Sequence, residues 1–79
     1  MSPSRLPVLT ARETIRVLER LGFVNTRRSP GSHLRFVHLD GRKTTVPVHP
    51  GKTIGRGLLR KILRDIEVTV EEFERARRG

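Results

Sequence analysis

Cysteine is absent from this chain, as are tryptophan and tyrosine, and phenylalanine occurs only three times. Without cysteine there is no disulfide framework, no thiolate metal site and no sulfur nucleophile. The shortage of aromatic rings leaves little for the stacking platforms on which single-strand-binding folds hold bases. Long apolar runs are missing too. None approaches the ~20 residues of a membrane span and no secretory leader is visible, so a cytoplasmic protein without membrane contact is expected. A chain of 79 residues has room for one domain over residues 1–79, with one thin layer of helices on one small sheet.

What the chain does have is positive charge. Seventeen Lys and Arg stand against eight Asp and Glu, and fourteen of the seventeen are Arg. Up to Ile66 there are fourteen basic and four acidic residues, whereas Glu67 onward is close to neutral. The positive field therefore belongs to the body of the domain. A polyanion such as nucleic acid is the natural partner, with an acidic protein surface as the alternative.

Residues 1–9 carry two prolines and no periodicity and read as a flexible or extended lead-in. Thr10 and Glu13 then have capping-box spacing, Ala11, Ile15, Leu18 and Leu21 follow at helical spacing, and Gly22 supplies a C-terminal cap. Phe23 to Arg28, Ser32 to Leu39 and Lys43 to His49 read as three strands. The first is ended by Ser29-Pro30-Gly31, and the last two are joined at Asp40-Gly41. Keeping the apolar faces together sets Phe36 across from Val46, Leu34 across from Val48, and His33 across from His49 on the uncovered face. A plain two-residue Asp-Gly turn is one residue out of that register, which predicts a longer loop or a glycine bulge around Gly41. Pro47 marks an edge strand or an outward-facing position. After Pro50-Gly51, Thr53 can cap a second helix with an apolar stripe from Ile54 to Ile66, and Thr69 with Glu72 opens a short third helix. The expected fold class is α+β, in the order α-β-β-β-α, with a three-stranded antiparallel sheet covered by helices on one face and a short C-terminal helix added.

The chemistry concentrates between Gly31 and Lys52. Histidine titrates nearest neutrality, and two histidines facing each other form an acid–base pair. RNA carries its own nucleophile in the 2′-hydroxyl, so His33 and His49 could supply both proton steps, with Lys52, Arg35 or Arg42 offsetting phosphate charge. The three histidines do not match a zinc spacing, and no metal or other cofactor is expected. Gly51-Lys52-Thr53 resembles the end of a P-loop, but Val46 stands where the first glycine belongs. The weaker reading is that free amides and Lys52 at a helix start hold one backbone phosphate. Arg56, Arg60 and Arg64, flanked by Lys61, form a basic row on the second helix.

Gly31-Ser32-His33, DGRKTTVPVHPGK from Asp40 to Lys52, LRKILRDI from Leu59 to Ile66 and EEF from Glu71 to Phe73 have the order and spacing of the HicA family, which the chain resembles from about Thr10 to Phe73. HicA proteins are the toxins of HicAB toxin–antitoxin pairs. The resemblance implies a fold like a double-stranded-RNA-binding domain, metal-independent endoribonuclease action on mRNA, and inhibition by a HicB-like antitoxin. The family's catalytic histidine maps onto His33, and His49 matches the V-P-x-H segment. Gly57-Leu58-Leu59 departs from the family's Gly-Thr-Leu and removes a hydroxyl that could serve a helix cap or an RNA contact. The residues expected to hold RNA phosphates are Ser32, Arg35, Arg42, Lys52, Arg60, Lys61 and Arg64. Two rival functions share this shape: a non-catalytic RNA- or DNA-binding module, and a basic face used mainly to dock the antitoxin.

Overall fold

The computed structural model, which describes residues 6–28, 33–49 and 51–79, has five strands and three helices. In chain order they are β1 (Leu9–Thr10), α1 (Ala11–Arg20), β2 (Val24–Arg28), β3 (His33–Val37), β4 (Lys43–Pro47), β5 (Thr53–Ile54), α2 (Arg56–Ile66) and α3 (Val70–Arg78). The α-β-β-β-α order expected from the sequence is present, with β2-β3-β4 as an antiparallel sheet. Two short strands were not expected. β1 and β5 pair antiparallel, Leu9 with Ile54 and Thr10 with Thr53.

Local hydrogen bonding explains where the helices begin and end. The Thr10 hydroxyl accepts from the Glu13 amide at 3.0 Å while the Glu13 carboxylate accepts from the Thr10 amide at 2.8 Å. Thr69 and Glu72 repeat this reciprocal cap at the start of α3. Gly22, at φ +97°, ends α1: its amide donates to the Glu19 carbonyl and that of Phe23 to Leu18, so two orphan carbonyls are satisfied. α2 departs from expectation at its start. Thr53 is drawn into β5 pairing with Thr10, and Gly55 occupies the cap position with no side-chain hydrogen bond.

α2 ends at Glu67, which sits at φ 56° where glycine is the usual occupant. A left-handed L-residue costs roughly 1–2 kcal/mol, and Glu67 is exposed. Glu67→Gly is therefore expected to stabilise the fold by about 1 kcal/mol, raising Tm by about 4–8 °C in a thermal melt. No change in Tm would mean that Glu67 recovers its backbone strain elsewhere.

The β3–β4 hairpin has a three-residue loop, Leu39 to Gly41. The His38 amide donates to the Arg42 carbonyl at 2.8 Å, and the Gly41 amide returns to the His38 carbonyl at 2.9 Å with Gly41 at φ +99°. This glycine-dependent loop is the expected alternative to a plain Asp-Gly turn. The register nevertheless corrects the sequence reading by two residues. Phe36 faces Thr44, Leu34 faces Val46 and His33 faces Pro47. A shift of two keeps every side chain on its own face. Leu34, Phe36, Thr44 and Val46 face the helices, while His33, Arg35, Lys43, Thr45 and Pro47 lie on the open face. β4 is an edge strand, as Pro47 suggested.

A cluster of buried residues from every layer fills the space under the helices, including Leu18, Phe23, Phe36, Val46, Leu59, Ile66 and Phe73. The buried Thr44 is accommodated there because its hydroxyl donates to the Asp65 carboxylate on α2 at 2.9 Å. The lead-in is extended and anchored where it is described: Leu6 and Leu9 are buried, and the Arg56 guanidinium donates to the Leu6 carbonyl at 3.0 Å. The expectations for residues 1–5 and for the Ser29-Pro30-Gly31 break lie outside the described residues. Among the described residues no helix is long and apolar enough to cross a membrane.

Candidate RNA site at the histidine pair

The two histidines singled out by sequence lie together at the end of the open face. His33 opens β3 and His49 follows β4, two residues beyond the partner of His33. Their rings stand 6.4 Å apart between centroids at an interplanar angle of 84°, and both side chains are exposed. A phosphoryl group could touch both imidazoles from that arrangement. His49 and Lys52 are joined by a tight turn in which the Lys52 amide donates to the His49 carbonyl at 3.0 Å and Gly51 takes φ +76°. The positive φ favours glycine at position 51, and the backbone hydrogen bond keeps Lys52 close to His49, whose cleft it also lines.

Beside the pair lies a cleft of about 520 Å³ lined by Ala11, Arg12, Val48, His49, Lys52 and Thr53. It exists because Thr10 pairs with Thr53, which brings the start of α1 against the β4–β5 connection. Arg12 was not expected from the sequence to contribute. The only local signal was an arginine two positions inside a capped helix, and nothing local shows which loop it faces.

The remaining expected phosphate ligands are scattered. Ser32 lies outside the described residues. Arg35 shares the open face with His33 and lines a separate groove of about 210 Å³ with Lys43, Thr45, Lys61 and Asp65. In that groove the Lys61 ammonium pairs with the Asp65 carboxylate at 3.1 Å. Arg60 and Arg64 are exposed but line a cleft at the α2–α3 corner with Leu63, Val68 and Val70. The basic row on α2 is thus distributed over several surfaces, and Arg56 is bonded to the Leu6 carbonyl.

Arg42 sits at the opposite end of the hairpin from His33, inside a network of its own. Its guanidinium pairs with Asp40 at 2.8 Å, donates to the Ile66 carbonyl at the end of α2, and lies 5.2 Å from the Phe23 ring centroid. His38 packs on the same ring at 5.1 Å. The hydrogen bonds from Arg42 hold the Asp40 carboxyl down from 3.8 to about 2. A depressed carboxyl favours folding in full above its ordinary value and loses that contribution as pH falls through about 2. Arg42→Ala is expected to lower stability by about 1–2 kcal/mol through the Ile66 bond and the ring contact, while affinity for RNA stays unchanged. In thermal melts the part of the difference that comes from the Asp40 pair should fade as pH is taken from 7 toward 2, leaving the Ile66 and ring contributions in place. A loss of RNA affinity at unchanged Tm would return Arg42 to the RNA site.

No curated protein matches the chain closely enough to count as a relative. A family model does match: that of the HicA toxin of bacterial toxin–antitoxin systems, over residues 11–68 of the 79. The matched span runs from the first helix to the residue after α2 and its left-handed cap, and so includes the hairpin, both ring-paired histidines and Lys52. With the α+β fold and the basic surface in place, this chain belongs to the HicA family, a toxin of the bacterial toxin–antitoxin type.

Proposed function

We propose that this toxin is a metal-independent endoribonuclease that cleaves single-stranded stretches of mRNA at the His33–His49 pair. One histidine takes the proton from the 2′-hydroxyl as that oxygen bonds to the adjacent phosphorus. The other gives a proton to the 5′-oxygen as the P–O5′ bond breaks, leaving a 2′,3′-cyclic phosphate and a free 5′-hydroxyl. Lys52 offsets charge on the phosphorane, and Arg35, further along the open face, attracts the incoming strand. His33, opening β3 directly after Gly31-Ser32, is the principal catalytic group. The observation that carries the reading is the T-shaped approach of the two rings at 6.4 Å in a chain of this family. A HicB-like antitoxin is the partner that restrains the activity, with the basic body of the domain offering charge complementarity to it.

The test is cleavage of a long unstructured RNA in EDTA by the parent and by His33→Ala, with analysis of the fragment ends. Cleavage by the parent alone, with cyclic phosphate ends, is the expected result. Equal cleavage by both proteins would sink the assignment of His33. RNA binding without any cleavage by the folded parent would leave a binding module.

A further inference from the structure

We propose that the cleft between the start of α1 and the β4–β5 connection is a nucleotide subsite adjoining the reacting phosphate, with Arg12 as its specific phosphate ligand. The position of the subsite relative to the chemistry rests on the nuclease reading above, whereas its binding of RNA does not. Arg12, at the start of α1, and Lys52, in the β4–β5 connection, are exposed cations that line the same cleft, brought there by the Thr10–Thr53 pairing. Neither is in an ion pair among the described residues. The nearest carboxylate in sequence, Glu13, is committed to the Thr10 amide, and that backbone hydrogen bond holds its pKa below the ordinary value. Two like charges facing one cleft are relieved by an anion.

The other walls say which anion. Ala11 is buried and Val48 half-buried, so the cleft combines apolar with cationic lining, and its volume of about 520 Å³ exceeds what a bare phosphate needs. That combination fits a nucleotide, with the phosphate on Arg12 and Lys52 and the base or ribose against Val48. His49 lines the same cleft and also faces His33. A strand whose scissile phosphate lies between the rings therefore has its neighbouring nucleotide at this opening.

Arg12→Ala separates the subsite from both the fold and the chemistry. The helix tolerates it, since alanine is the better helix former and a cation near a helix N-terminus opposes the dipole. Binding is read with a 2′-O-methyl oligoribonucleotide, which lacks the attacking hydroxyl, across a salt series. Turnover is read with the unmodified RNA. Arg12→Ala is expected to weaken binding about five- to tenfold at low salt, to flatten the salt slope by about 0.7, and to raise KM with kcat held within about twofold. Arg12→Lys should recover most of the affinity. Arg16→Ala, one turn further along α1, should change neither readout. Unaltered affinity and slope in Arg12→Ala, with His33-dependent cleavage intact, would overturn the subsite and leave the nuclease standing. Arg12-dependent binding by a parent that never cleaves would support the subsite and overturn the nuclease. Weakened binding to the antitoxin alone, with RNA binding unaltered, would assign the cleft to a protein and overturn the proposal.

Discussion

His33→Ala is expected to lower kcat on single-stranded RNA by about 10²–10⁴-fold while affinity for a 2′-O-methyl analogue stays within about twofold of the parent. The split follows from the location of the ring. His33 is exposed at the first residue of β3, so its removal leaves no cavity and should move Tm little. His49→Ala should fall in the same range, because in the proposed mechanism the acid and the base act in one transition state. For the same reason the double variant should resemble the worse single variant and fall well short of the product of the two losses. The parent's pH–rate profile should be bell-shaped, and each single variant should lose one limb. Multiplicative losses in the double variant would show that the rings act in separate events, and the paired mechanism would have to be abandoned.

The parts of the fold legible in the sequence were those written in local hydrogen bonds. Both capping boxes, the glycine stop of α1 and the glycine loop of the hairpin depend on residues within about three positions of one another. The register was legible only as to face. Maximal apolar pairing put Val46 opposite Phe36, but the three-residue loop closes on His38 and Arg42 and so sets Thr44 there. A threonine is tolerated on the covered face because Asp65 accepts its hydroxyl from the next layer, twenty-one residues away. No periodicity rule reports that contact. The histidine approach survived the error because a slip of two preserves the side of the sheet, leaving His49 diagonal to His33 instead of opposite it.

The candidate site divides along the same line. His33, His49 and Lys52 were legible as residue types near a turn, and the structure brings the two rings together beside the cleft that Lys52 lines. The arginines were legible as charge and illegible as places. Arg42 is engaged at the other end of the hairpin, and Arg60 and Arg64 lie at the α2–α3 corner. Arg12 escaped notice because its placement depends on β1–β5, a ladder of two residues on each side, too short to leave a sequence signal.

Phe73→Ala is expected to cost about 3–5 kcal/mol, which for a domain of this size approaches the whole of its stability. Phe73 is fully buried in the common core although α3 lies beyond the span matched by the family model. Helix α3 is otherwise rich in charge, and besides Phe73 it is tied to α1 by the Arg20 guanidinium, which donates to the carbonyls of Ala76 and Arg77 at 3.0 and 2.8 Å. Exposed bonds of that kind contribute little alone, so the phenyl ring is the anchor. Chemical denaturation should show the midpoint moving far toward water with activity falling in proportion to the folded fraction. Arg20→Ala, by contrast, should cost about 1 kcal/mol or less. If Phe73→Ala instead kept a near-parental midpoint and lost only helical signal, α3 would be an arm that the core of α1, α2 and the sheet can shed. A large loss makes α3 part of the cooperative unit that holds α1, and with it Arg12 and one wall of the cleft, in position.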